Sequence, residues 1–489
     1  MKNWLIRSAR GSALTMLAEV FARAANTLFF VLLTWYLGEQ EASVYTLGFT
    51  FSTFLLPFSL AGLEQLLSRE VAREPERGGV VLGNFLLVRT LSSLLCYGAL
   101  ILWLSGPYGF DGSINTVVLV LGATLIPDSL ISLCQSYLIT HERTGYIALI
   151  GGVTGGVKLV LGTGILMLGG GALAAALVVL VTSVIALLLF LGLICARFEL
   201  PAFSFDRAFW LVQMRAEIPL LLIGIMLTVE GSLDALLLSR SGDPLHIGVF
   251  AAAAAVLNAL LLFPQVLRQV ILPLMTSAYK AAQQQAYEIY LHSQRFLLII
   301  GLAIAVSLML TADISLPKLY HDHFLATIPV FQIIIWSFVF TLLAVPNGRL
   351  MLVVGRQSAS VPIQLVAMLL NVALNFILQP TLDARGAAWA RVASTGLALA
   401  LSVYYVQRHI YRWNMLPIFA APLGAAAAFA LTVVSLRWWG THWLLALAAG
   451  WLVYGAVLYA LRGISAAELR GMLTLVRRSA DQRIMKRSL

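Results

Sequence analysis

Long, uninterrupted apolar segments dominate this sequence and limit what it can fold into. An α-helix of about 20 apolar residues is long enough to cross the hydrocarbon core of a bilayer. About fourteen segments of the chain meet that length. They lie at about 12–37, 42–65, 81–105, 115–139, 145–169, 171–195, 217–239, 246–274, 295–316, 327–354, 359–380, 385–407, 417–437 and 442–462. These runs are continuously apolar, whereas the strands of a transmembrane β-barrel are segments of about ten residues in which apolar and polar residues alternate. The runs therefore predict helices.

The composition indicates the same class of protein. Hydrophobic residues make up 60% of the chain and charged residues only 11%, whereas soluble domains carry about 25% charged residues. No soluble fold could bury that much apolar surface. We therefore predict an all-α polytopic membrane protein with about fourteen transmembrane helices.

The distribution of Lys and Arg predicts an orientation. With an even number of spans, 22 of the 32 basic residues fall on the side that holds both termini, four fall on the opposite side, and six lie inside spans. The positive-inside rule then places both termini of this multi-pass protein in the cytoplasm. Since the net charge of +10 is explained by this asymmetry, we predict no nucleic-acid partner.

The connections between spans are short, which argues against a catalytic domain outside the membrane. The longest, residues 197–217, has only about twenty residues and divides the spans into six and eight. There is no GxxxxGK[ST] loop for ATP. Neither the three cysteines nor the His321, Asp322 and His323 loop has convincing ligand spacing for a metal. We predict that the protein is not an enzyme and has no cofactor and no metal.

The first span contains three polar residues that share one helical face. At 100° per residue, Glu19, Arg23 and Asn26 fall within about 60° of arc. Arg23 lies near the midplane, where an arginine costs roughly 2.5–3.5 kcal/mol on insertion scales. An internal pair between Glu19 and Arg23 could neutralise both charges. The alternative is that the face lines a water-filled cavity.

Other spans of the first half also carry polar groups at membrane depth. Arg89 lies in the third span, Asp128 follows Pro127 in the fourth, and Lys158 lies at mid-depth in the fifth. Isolated pairs could explain the charges, but a hydrated cavity also explains the accompanying hydroxyls and amides. We therefore predict Arg23, Asn26, Arg89 and Lys158 to bind substrate, and Glu19 and Asp128 to couple an ion.

The second half repeats this pattern. Glu230 and Asp234 lie one helical turn apart in the seventh span, where two carboxylates would repel and favour proton coupling, although Asp234 could simply be hydrated near the interface. Arg268, Asn371, Asn375 and Arg391 complete the predicted substrate-binding residues; snorkelling to the interface is the alternative for Arg268.

Two segments resemble bacterial polysaccharide exporters. One is SLDALLLSRSGDPLHIGVFAAAAAVLNALLLFPQVLRQVILPLMTSAY at 232–279, and the other is LNFILQPTLDARGAAWARVAST at 374–395. Arg391 departs from the family pattern, in which threonine is common, so we expect a substrate-specific role for it. The resemblance implies a six-helix lobe at 1–200, a second at 201–412, and two extra helices with a basic tail at 413–489. The two lobes would surround a central cavity.

The resemblance also implies a function. Such proteins move undecaprenyl-pyrophosphate-linked oligosaccharides from the cytoplasmic to the outer leaflet by alternating access, and they are related to lipid II flippases. The implied partners are the polyprenyl-pyrophosphate-linked glycan, the bilayer, and a polysaccharide polymerase or export machinery. A multidrug exporter of the same fold is the alternative transporter. A membrane-embedded glycan polymerase or glycosyltransferase is the alternative from another class, although its usual large extramembrane loop is missing.

Overall fold

The structure of the chain, a computed structural model, describes residues 2–59, 63–106, 110–198, 233–238, 244–320, 325–414 and 416–461. The side chains of residues 2–27 and of a few single positions are not among those described. Over the described ranges all regular elements are helices and none is a β-strand. The predicted all-α class is therefore confirmed.

The described part of the chain contains fourteen α-helices, each of 11 or more residues. In chain order they are α1 (Lys2–Leu55), α2 (Leu63–Arg73), α3 (Gly78–Ser105), α4 (Gly112–Ala123), α5 (Leu125–Thr140), α6 (Thr144–Met167), α7 (Ala172–Arg197), α8 (Pro244–Leu260), α9 (Leu262–Ala281), α10 (Gln283–Tyr320), α11 (Thr327–Val353), α12 (Ser360–His409), α13 (Leu416–Trp438) and α14 (Trp443–Ala460). A short helical segment also occupies 233–238, which is the described part of the predicted span 217–239.

Two of the long helices change direction where the sequence predicts a connection between spans. In α1 the break is at Gly38, whose φ of 72° and ψ of −175° are accessible mainly to glycine. In α12 the break is at Asp383, with φ 48° and ψ −128°. Helix α1 thus contains the predicted span 12–37 and the start of the span 42–65. Helix α12 contains the predicted spans 359–380 and 385–407.

The predicted second span is not one continuous helix. Helix α1 ends at Leu55, a 3-10 turn covers Leu56–Ser59, and α2 begins at Leu63. Pro57 lies in that turn, and its missing N–H and fixed φ disfavour a continued helix. The basic stretch that follows, expected to be a loop, instead forms the amphipathic α2, whose apolar side chains at 63, 66, 67 and 71 are buried.

Many helices are apolar but little buried by the protein itself. Ten described helical stretches are long and apolar enough to cross a bilayer. In the most apolar windows of Thr144–Met167 and Gly78–Ser105, only 17% and 28% of the residues are buried. Large side chains such as Leu95 and Leu102 are about three-quarters exposed, at 75% and 76%. Lipid must cover these faces, so the chain is a multi-pass membrane protein.

Contacts divide the chain into two compact units. The first contains Met1–Leu262, Leu316–Ile334 and Gln364–Ser394, and the second contains Phe263–Ser315, Ile335–Ile363 and Thr395–Leu489. In the first unit, α1 packs against α4, α6 and α8, while α5 packs against α2, α3 and α7. In the second unit, α13 and α14 form an antiparallel pair. The lobes expected at 1–200 and 201–412 are two predicted sets of six spans, whereas the two units are defined by contacts. The lobes therefore stay a prediction.

Candidate functional site

A buried carboxylate, Asp234, forms the centre of one polar cluster in the first unit. Its side chain has no solvent exposure. Arg391 donates from Nε to Oδ2 over 2.6 Å, and Asn371 and Asn375 donate from Nδ2 to Oδ1 over 3.0 and 2.8 Å. A guanidinium and two amides therefore satisfy the charge and the lone pairs of this carboxylate.

The kink in α12 explains how this Asp234 cluster forms. Asn371, Asn375 and Gln379 follow each other at four-residue spacing before the kink, so they share one face, and Arg391 lies beyond it. Gln379 donates from Nε2 to the Asp234 backbone oxygen over 3.0 Å and to Asn375 Oδ1 over 2.6 Å. The structure thus brings together four residues predicted from the sequence, and it adds Gln379.

A second cluster in the same unit surrounds Arg89 of α3. Arg89, whose side chain is only 1% exposed, donates from Nη2 to Glu64 Oε1 over 3.0 Å and to Ser132 Oγ over 3.3 Å. Ser132 donates to the same Glu64 oxygen over 2.7 Å. Sequence reasoning missed Glu64, because it lies at the end of a predicted span. Its only signal is a lone acid beside the apolar residues of the stretch "AGLEQLL".

The third cluster of the first unit contains Lys158 of α6. Its Nζ atom lies 5.0 Å from the centroid of the Phe29 ring, which is a cation–π contact. Asp128 of α5 interacts electrostatically with Lys158, and the hydroxyl groups of Ser183 and Thr124 lie near its carboxylate. Lys158 and Asp128 both remain partly exposed, in contrast with Arg89. This cluster combines a reachable ammonium with a nearby carboxylate.

Two arginines of the second unit lie within electrostatic range of each other. They are Arg268 of α9, which is exposed, and Arg349 of α11, which is half-buried. Two guanidinium groups within electrostatic range repel each other, and an anion beside them would offset that repulsion. Arg268 was predicted to bind substrate, with snorkelling as the alternative, whereas Arg349 was not among the predicted substrate-binding residues.

Several predicted residues lie outside the described side chains. Glu19, Arg23 and Asn26 belong to α1, but their side chains are not described, and Glu230 lies outside the described residues. The His321, Asp322 and His323 loop is outside them as well. Within the described ranges, no group of three or more His, Cys, Asp or Glu side chains could hold a metal ion.

Comparison with known proteins supplies a family and a fold. The profile of a family described as polysaccharide biosynthesis protein matches residues 8–279. Comparison with curated protein sequences gives no match. Among solved structures, the lipid II flippase MurJ in an inward closed conformation is similar with a TM-score of 0.74 and 15% identity, over 91% of this chain and 98% of that one.

Transporters of the MOP superfamily are also similar in structure. An inward-facing multidrug resistance transporter of the MATE family matches with a TM-score of 0.64 and 16% identity, over 78% of this chain and 93% of that one. A MOP superfamily transporter from Pyrococcus furiosus matches with a TM-score of 0.57 and 16% identity, over 81% and 94%. Since the family profile covers more than half of the chain, the protein belongs to the polysaccharide biosynthesis protein family and has the fold of the MurJ and MATE transporters.

Proposed function

We propose that the protein is a flippase that moves an undecaprenyl-pyrophosphate-linked oligosaccharide from the cytoplasmic to the outer leaflet by alternating access. Its membership of a polysaccharide biosynthesis family and its likeness to a lipid II flippase support this proposal. The long apolar helices support a lipid bilayer as the place where the protein acts. We also propose that the protein lies in the cytoplasmic membrane of a bacterium or archaeon with both termini inside. A polysaccharide polymerase or export machinery would then take over the flipped lipid.

The observation that carries the proposal is the environment of Lys158. A pyrophosphate is a compact anion, which an ammonium in a low-dielectric setting binds strongly. Arg89 and Arg391 are held against the carboxylates of Glu64 and Asp234. Lys158 contacts the Phe29 ring and interacts with the Asp128 carboxylate, and its side chain is partly exposed. Because it is more accessible than Arg89 and lacks the close ion pair of Arg391 with Asp234, Lys158 is better placed than these two arginines to receive the pyrophosphate.

Asp128 gives this site a residue that can couple the binding of an ion to the binding of the lipid pyrophosphate. It interacts with Lys158, so a bound pyrophosphate would compete with the carboxylate for the same ammonium. Once displaced, Asp128 would be an uncompensated charge that a coupling ion can neutralise. Asp128 is therefore our preferred ion-coupling residue. Asp234 keeps its guanidinium partner Arg391 and serves better as a fixed structural pair.

A multidrug exporter is the second candidate, because the MATE transporter likeness covers 78% of the chain. The distinguishing experiment uses purified protein in liposomes with a fluorescent polyprenyl-pyrophosphate oligosaccharide, the matching polyprenyl monophosphate, and a cationic dye. The flippase proposal predicts leaflet exchange of the pyrophosphate lipid above the protein-free rate. Transport of the dye without movement of either lipid would favour the exporter.

A further inference from the structure

A cavity of about 300 Å³ lies in the second unit, away from the clusters described above. It opens between the third and fourth turns of α10 and the segment that connects α12 to α13. The residues that line it include Leu291, His292, Arg295, Tyr411, Trp413 and Asn414. The volume is at the lower end of the range for ligand pockets, which is suited to one small polar group.

Aromatic stacking fixes the walls of this cavity. Tyr411 stacks on Tyr287 with ring centroids 4.3 Å apart and planes at 15°. Trp413 stacks on Phe419 at 6.2 Å and 14°, and its edge meets Tyr290 at 6.0 Å. The connecting segment is therefore held in place by rings and does not depend on a ligand for its shape.

A buried hydrogen-bond network supports the α10 side. Tyr290 donates to Asn347 Oδ1 over 2.8 Å, and Gln294 donates to the same oxygen over 2.9 Å. Asn347 in turn donates from Nδ2 to Ser402 Oγ over 3.0 Å. Arg295 follows Gln294 directly in the chain, so the helix backbone that carries it is held by a network that joins α10, α11 and α12. A preorganised cation binds an anion at a lower entropic cost than a mobile one.

Basic side chains lie in and beside the cavity. Arg295 and His292 line it, and the last turn of α12 carries Arg408 and His409. The sequence predicts that both chain segments that form the cavity lie on the side that holds 22 of the 32 basic residues. The cavity therefore combines arginine, tyrosine and tryptophan where spans begin and end, which is the level of lipid headgroups.

We propose that this cavity binds the phosphate group of an anionic membrane lipid. The Arg295 guanidinium would hold the phosphate through charge-assisted hydrogen bonds, with the Tyr411 and Trp413 rings packed around the rest of the headgroup. The acyl chains would remain in the surrounding bilayer. The site is separate from the Lys158 cluster, so it can be tested whether or not the flippase proposal holds.

The test measures binding to the purified full chain in a non-ionic detergent, by native mass spectrometry and titration calorimetry. The probes are a short-chain phosphatidylglycerol, the matching phosphatidylcholine and inorganic phosphate. We expect phosphatidylglycerol to bind at least tenfold more tightly than phosphatidylcholine. The variant R295Q should weaken phosphatidylglycerol binding by about tenfold or more, which is the usual effect of losing a charge-assisted hydrogen bond.

Two further variants make the result specific. R412Q removes the exposed neighbouring charge that does not line the cavity, and it should leave the affinity within about twofold. L291F narrows the cavity without changing its charge, so it should weaken lipid binding even where R295Q fails to fold. Equal binding of both lipids, or no effect of either R295Q or L291F, would overturn the proposal. If inorganic phosphate binds as tightly as the lipid and depends on Arg295 in the same way, the cavity is a site for phosphate. That result would reject a lipid as the ligand.

Discussion

Nε of Arg391 lies 2.6 Å from Oδ2 of Asp234, a carboxylate with no solvent exposure, although the two residues are 157 positions apart in the chain. The pair connects the segment 233–238 with the second arm of α12. A buried carboxylate of this kind is tolerable only with a partner, because its desolvation costs several kcal/mol. Arg391, the residue that departs from the exporter pattern, supplies the partner from within the chain.

Removing one member of this pair should destabilise the protein strongly. We expect R391Q to lower the free energy of unfolding by about 3–5 kcal/mol, because it leaves Asp234 buried without its counter-charge. The double variant D234N/R391Q should lose less than the sum of the single variants. Thermal and denaturant unfolding in detergent measure both effects. The exposed Arg385 provides the control R385Q, and equal stability of R385Q and R391Q would contradict the assignment.

The Arg89 cluster leads to a similar prediction with a surface pair as its control. E64Q keeps the shape of the side chain but removes the charge opposite Arg89, and it should cost about 2 kcal/mol. The pair of Glu74 with Arg77, at 3.5 Å, is largely exposed, so E74Q should change stability by less than about 1 kcal/mol. Unfolding measured side by side provides the comparison, and an E64Q variant as stable as E74Q would refute a structural role for Glu64.

The contact between α1 and α8 depends on the absence of a side chain at Gly248. A Cβ atom placed there would lie 1.8 Å from Ser43 Oγ and 3.0 Å from the Ser43 backbone. G248A should therefore cost about 1–3 kcal/mol through overpacking, and S43G should recover part of that loss. Gly156 of α6 has no atom within 4 Å of such a Cβ, so G156A should be neutral or stabilising by up to about 1 kcal/mol. A neutral G248A would show that these helices do not pack this way.

The proposed orientation can be tested by labelling. In a background without Cys96, Cys134 and Cys195, a cysteine is introduced at the exposed position Ser105 or Ser358. Ser105 is the last residue of the third predicted span, and Ser358 lies between the tenth and eleventh. A membrane-impermeant maleimide added to intact cells should label the cysteine at 105 and not the one at 358. Labelling of the cysteine at 358 and not of the one at 105 would contradict the proposed orientation.

The sequence predicted the class of fold, because the length of apolar segments can be read locally along the chain. It could not predict which charges meet. Asp234 was expected to face Glu230, yet its described partner is Arg391, which reaches it only because α12 kinks at Asp383. Glu64 was missed because Pro57 and the turn around it end α1 early, which turns an expected span end into the start of α2.

The most direct test of the proposed function is the rate of leaflet exchange of a labelled polyprenyl-pyrophosphate oligosaccharide by Lys158 variants in liposomes. We predict that K158A lowers the rate at least tenfold with its fold intact, because the pyrophosphate loses its ammonium partner, and that K158R retains part of it. The exposed Lys280 gives the control K280A, which should match the wild type. A K158A variant that exchanges the lipid at the wild-type rate would contradict the assignment of Lys158 as the pyrophosphate site.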